Sequence, residues 1–128
     1  MLKLLNIAFG GAIGAVLRYW VSGLSCKVFS GGFPWGTLIV NLIGSFIIGL
    51  IWGLLEIVTI SQNIRLFIFI GLLGSFTTFS TFSLENFNLI QDGEYWLVLC
   101  NIAISVVLGV GLVFLGFFLS RSILQILK

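Results

Sequence analysis

Four long apolar runs, three of them without a charge, constrain this chain more than any other feature. Leu4–Leu24 contains only Arg18, while Thr37–Leu55, Leu66–Leu84 and Tyr95–Ser120 contain no charged residue. A helix that crosses the hydrocarbon core of a bilayer needs about 20 mostly apolar residues. Each run supplies that length. Charged residues make up 8% of the chain, against roughly 25% in soluble domains, so almost nothing remains for a water-soluble unit. The pattern predicts an all-α membrane protein, a single domain over residues 1–128, with transmembrane helices near 4–24, 37–55, 66–85 and 95–120. Pro34, the only proline, stands with Trp35 and Gly36 as a turn into the second helix, with Trp35 at headgroup depth. Tyr95 and Trp96 anchor the start of the fourth.

Lys3 followed by apolar residues fits the start of a signal peptide. The run continues to about residue 24, however, beyond the roughly 7–15-residue apolar region of such peptides. Gly10 and Gly14 also have the small-xxx-small spacing of helix contacts, so the segment reads as a mature helix. With four spans both termini share one side of the membrane. That side carries Lys3, Arg65, Arg121 and Lys128, and the other carries Lys27 and Arg18. So thin a bias under the positive-inside rule permits insertion in both orientations.

The chemistry available is narrow. There is no histidine, and Cys26 and Cys100 have nothing nearby to complete a metal set. A Ser-His triad is impossible. The acids Glu56, Asp92, Glu94 and Glu85 form no paired set, and three of them sit at loops. This chain is therefore read as not an enzyme. Its net charge of +2 is too small and scattered to suggest nucleic acid.

What remains is neutral polarity inside helices. Gly71–Ser83 packs two glycines, six hydroxyl side chains and three phenylalanines into thirteen residues. Glycine beside a β-branched, hydroxyl-rich run resists leaving helical geometry only weakly, so the third helix is expected to break near residues 74–77. The alternative is an unbroken helix whose hydroxyls bond back to their own carbonyls. Thr37, Asn41 and Ser45 share a face of the second helix, Asn101, Ser105 and Gly109 a face of the fourth, and Thr78, Thr81 and Glu85 a face of the third. Such stripes either glue helices together or line a hydrated path, and an intramembrane Glu favours the path. Amide and hydroxyl donors suit an anion, as do the positive ring edges of Phe79 and Phe82. Arg18 adds one fixed positive charge placed to enter a vestibule.

Three motifs carry a family resemblance: GGAIGAVLRY over Gly10–Tyr19, PWGTLIVNLIGS over Pro34–Ser45, and GLLGSFTTFSTFSLE over Gly71–Glu85. In these the chain resembles, over essentially its full length, the CrcB/Fluc fluoride channels of prokaryotes. The resemblance implies a multi-pass protein of the prokaryotic plasma (inner) membrane that exports fluoride passively. It also implies a dual-topology antiparallel homodimer, embedded in the lipid bilayer, with two pores at the interface. Asn41 then matches the pore asparagine, Phe79 and Phe82 the paired rings, and Ser80, Thr81 and Glu85 the hydrophilic track. Ser105 matches a pore-facing serine and Arg18 the vestibule arginine. Gly74 and Thr77 match the break whose carbonyls hold a structural sodium ion. Asn101 stands where some members carry tyrosine, and Gly109 where some carry serine.

Two rivals stand beside this reading. A small multidrug-resistance-type transporter would need a carboxylate in the first helix, where this chain has only Arg18. A non-transporting membrane scaffold would use the stripes for assembly alone.

Overall fold

A computed structural model describes residues 1–29, 31–56 and 58–126; Lys128, counted above on the terminal side, lies outside them. The described chain is helical, and four of its stretches are long and apolar enough to cross a membrane: Leu2–Val28, Trp35–Leu55, Gln62–Gln91 and Tyr95–Ile126. The first, α1 (Leu2–Val28), continues past the expected end near residue 24. Ser25 is buried there, and its hydroxyl donates to the Val21 carbonyl at 2.7 Å. That local bond lets a serine stay in an apolar helix. The second, α2 (Trp35–Leu55), begins with Trp35 itself, and Pro34 occupies the cap position, where its missing N–H costs nothing.

The third stretch is composite. Ser61 caps α3 (Gln62–Arg65) by accepting from the Ile64 amide at 3.4 Å, and a π-helical segment, Leu66–Leu73, follows. After it come α4 (Gly74–Phe76) and α5 (Phe79–Gln91). Between these two, Thr77 (φ −80°, ψ 157°) and Thr78 (φ −150°, ψ 116°) are extended. The expectation placed the departure at residues 74–77 and credited it to Gly74. Gly74 is instead right-handed helical, with φ −64° and ψ −30°. The extended pair are β-branched residues, which suit that backbone, so glycine's freedom is not what is used.

The stretch ends later than residue 85. It turns at Asp92 and Gly93, where Gly93 has φ +78° and its amide donates to the Ile90 carbonyl at 3.1 Å. A left-handed residue here is the ordinary glycine stop. The fourth, α6 (Tyr95–Ile126), runs beyond Ser120 because Ser120 lies inside a packed face, 1% exposed, with its hydroxyl on the Phe117 carbonyl. At the same end Arg121 pairs with Glu56 at 3.5 Å, which brings the C-terminal ends of α2 and α6 together.

The helices form two close pairs, α2 with α6 and α1 with the π-helical segment, joined through α1 against α2. Both pairs rest on bare backbone. A side chain at Gly116 would run into the Phe46 carbonyl, and one at Gly10 into the Phe67 carbonyl. Small residues at such crossings allow the approach that dispersion forces need in a membrane. Much of the outer surface is apolar, with Phe9, Trp20, Trp52 and Phe114 exposed.

Candidate functional site

The polar stripes of α2 and the third stretch face each other. The Asn41 side-chain amide donates to the Thr78 carbonyl at 3.1 Å, and its oxygen accepts from the Thr78 amide at 2.8 Å. Both backbone groups of the extended residue are thereby satisfied by one side chain, as a chain leaving helix in an apolar medium requires. Thr78 also caps α5: its hydroxyl accepts from the Thr81 amide at 3.3 Å and donates to the Thr81 hydroxyl at 3.0 Å. One turn further along, the Thr37 hydroxyl donates to Glu85 Oε1 at 2.7 Å. Glu85 Oε2 is buried with no hydrogen-bond partner among the described residues.

Diverting the Thr78 amide has a consequence four residues back. In a continuous helix that N–H would serve the Gly74 carbonyl; here it serves Asn41. The Gly74 carbonyl is left as a hard oxygen donor on an exposed residue. It suits a monovalent cation better than a divalent one, since no carboxylate lies beside it to balance a second charge. Among the described residues no group of three or more His, Cys, Asp or Glu could hold a metal.

Two cavities flank Thr78. One, of about 320 Å³, is lined by Asn41, Ser45, Gly74, Thr77, Thr78 and Phe79. The other, of about 410 Å³, is lined by Arg18, Ser22, Thr37, Thr78 and Thr81 among others. Amide, hydroxyl and guanidinium groups thus line a cavity on either side of one residue, and neither lining includes a carboxylate.

Most of the expected site residues gather around the two cavities, with Glu85 one turn away on Thr37. Asn41, Phe79, Gly74 and Thr77 share the first cavity, and Arg18 and Thr81 the second. Phe82 lies against Phe79, ring centroids 5.7 Å apart at 38°; Phe79 is 79% exposed, a ring with one face unpacked. Ser80 is exposed beside them, with its hydroxyl 3.4 Å from that of Thr78. Ser105 stands apart, donating to Asn101 at 3.4 Å in α6. Two residues escaped the list of candidates. Thr37 was noted as part of a stripe but not as the partner of Glu85. Asn86 was missed altogether, although an asparagine directly after an intramembrane Glu was signal enough.

Comparison with known proteins agrees over most of the chain. The family described as CrcB-like protein, Camphor Resistance (CrcB), matches residues 5–117. The chain is 47% identical over 116 residues to the fluoride-specific ion channel FluC of Shewanella halifaxensis, covering 91% of this chain and 94% of that one. It is 44% identical over 128 residues to the protein of the same description from Parabacteroides distasonis, with both chains fully covered. A further relative so described, from Salinibacter ruber, is 48% identical over 116 residues, covering 91% of this chain and 87% of its own.

Proposed function

This chain belongs to the CrcB family, a family of ion channels and not of enzymes, and on that premise we propose that the ion it passes is fluoride. The observation that carries the proposal is the donor-lined, carboxylate-free pair of cavities on either side of Thr78. Fluoride is small and strongly hydrated, so a path for it needs close donors in place of water. Asn41, Ser80 and Thr81 supply amide and hydroxyl groups, and Phe79 and Phe82 supply ring edges of positive potential; Ser105 gives its proton to Asn101 and stands outside this lining. Arg18 draws the anion into the vestibule, and Glu85 holds the hydroxyl of Thr37 in place.

In this reading the working unit is an antiparallel homodimer of oppositely inserted copies in the prokaryotic inner membrane, with two pores. The incomplete first cavity and the open face of Phe79 support it, because each is half of a lining that a second copy would close. A twofold axis beside α4 would bring the Gly74 and Thr77 carbonyls of both copies together. Those four oxygens would hold a structural sodium ion, whose single charge answers the freed carbonyls. Transport is passive, so the membrane potential drives fluoride outward and lowers its toxicity.

The test is flux from liposomes loaded with fluoride or chloride, paired with growth of a fluoride-hypersensitive bacterium expressing the chain. Fluoride efflux without proton coupling, together with restored growth, is the expected result. A well-folded, membrane-inserted protein that passes neither anion would overturn the proposal and leave the scaffold reading.

A further inference from the structure

Little apolar packing holds α5, the helix that carries both rings. Phe79, Leu84, Phe87 and Ile90 are exposed, and of the apolar side chains on α5 Leu89 alone is buried. Two buried amides lie beside it: Asn86 on α5 is 7% exposed and Asn101 on α6 is 1% exposed. Asn101 Nδ2 donates to Asn86 Oδ1 at 3.2 Å, and Asn86 Nδ2 donates to the Phe82 carbonyl at 2.7 Å. The Ser105 hydroxyl closes the far end on Asn101 Oδ1. The result is a continuous line of hydrogen bonds from the long helix α6 to the backbone of Phe82.

We infer that Asn101 is a positioning residue: acting through Asn86, it sets the rotation of α5 about its axis and hence the direction of the Phe82 ring. What that ring does rests on the function proposed above; the tie itself does not. Asn86 lies one turn beyond Phe82 on the same face, so a hold on one is a hold on the other. The Asn41–Thr78 bonds fix only the N-terminal end of α5 and leave its rotation free. The Thr37–Glu85 bond, at 2.7 Å, holds α5 toward α2 from a partly exposed Glu85 and leaves its spacing from α6 unset. A leucine at either asparagine would be easier to bury. An interhelical hydrogen bond in a membrane contributes only about 0.6 kcal/mol, so the pair adds little stability. Its geometry accounts for its presence better: directional amide hydrogen bonds permit one register between α5 and α6, where non-directional leucine contacts would permit several.

The test uses the full chain with Asn101→Leu, Asn86→Leu and both together. Each is made also with para-fluorophenylalanine at position 82, read by fluorine NMR, and each is assayed for thermal stability and for fluoride flux per folded protein. A single replacement orphans the partner amide, whereas the double removes both amides and leaves only the Ser105 hydroxyl, free to turn to a carbonyl of its own helix, so stability should recover. For a positioning role, the fluorine resonance shifts and broadens in Asn101→Leu and in the double variant. Fluoride flux in both falls about threefold, the equivalent of an interhelical bond of about 0.6 kcal/mol. Recovery of resonance, flux and stability together in the double variant would overturn the inference, as would an unmoved resonance in Asn101→Leu. If Asn101→Leu does not fold, the double variant decides. If the unaltered protein carries no fluoride, the proposed function fails while the resonance still decides the tie.

Discussion

The α2–α6 pair, apolar along most of its length, and the α5 half-helix, polar at seven of its thirteen positions, are held by opposite means. Between α2 and α6 the contact is backbone on backbone, with Gly49 against Val113 and Gly116 against Phe46. α5 instead leaves four of its six large apolar side chains exposed and is tied by side-chain hydrogen bonds at Thr78, Glu85 and Asn86. The difference separates two uses of small and polar residues in a membrane. Glycine buys closeness where the chain stays helical, and asparagine or threonine satisfies it where it does not.

Three substitutions probe that contrast, in falling order of effect. Gly116→Leu places a side chain in the Phe46 carbonyl and against the Leu50 amide. Backbone cannot yield as a side chain can, so the cost is about 3 kcal/mol, the upper end of overpacking. Little folded protein is expected by size-exclusion chromatography, and a melting temperature equal to that of the unaltered protein would mean the α2–α6 contact is not rigid.

Asn41→Leu strips partners from both backbone groups of Thr78. One such orphan costs about 1–3 kcal/mol when dry; with a cavity adjoining, the expected loss is about 2 kcal/mol, with fluoride flux abolished and α2–α6 packing intact. Thermal unfolding and liposome flux measure both, and unchanged stability would show that water in the cavity serves Thr78 as well as Asn41 does. Thr37→Val keeps the shape and deletes the donor to Glu85. Its cost is about 1 kcal/mol, the low end for an acceptor left without a partner on a partly exposed side chain, visible as a smaller fall in melting temperature. A fall as large as that of Asn41→Leu would move the main support of α5 from its N-terminus to Glu85.

The four spans were legible because uncharged runs of helical length admit few other structures in a bilayer. Their ends were not. Ser25 and Ser120 look like boundary residues in sequence, but local bonds to Val21 and Phe117 carry the helices through them. The stripe on α2 was visible from its four-residue spacing, though not that Thr37 and Asn41 would meet Glu85 and Thr78, since pairing between helices depends on register. The offset between Gly74 and Thr77–Thr78 has the same cause: propensity marks glycine as the weak point, while the partner on α2 selects the residue whose peptide is captured. Asn86 and Asn101 illustrate the limit further, as fifteen residues and a glycine turn separate two amides that only the hairpin between α5 and α6 brings together.

Thr78 lines both cavities, and this has an electrical consequence. One cavity extends along α2 toward Ile48 and the other toward Thr37; in the proposed pore, where water would fill each from opposite faces, the insulating layer between them would shrink to about the thickness of one residue. A transmembrane voltage falls where the medium is least conductive. The roughly 2.3 kcal/mol per elementary charge that each 100 mV provides would then act over that short step and not over the full thickness of the hydrocarbon.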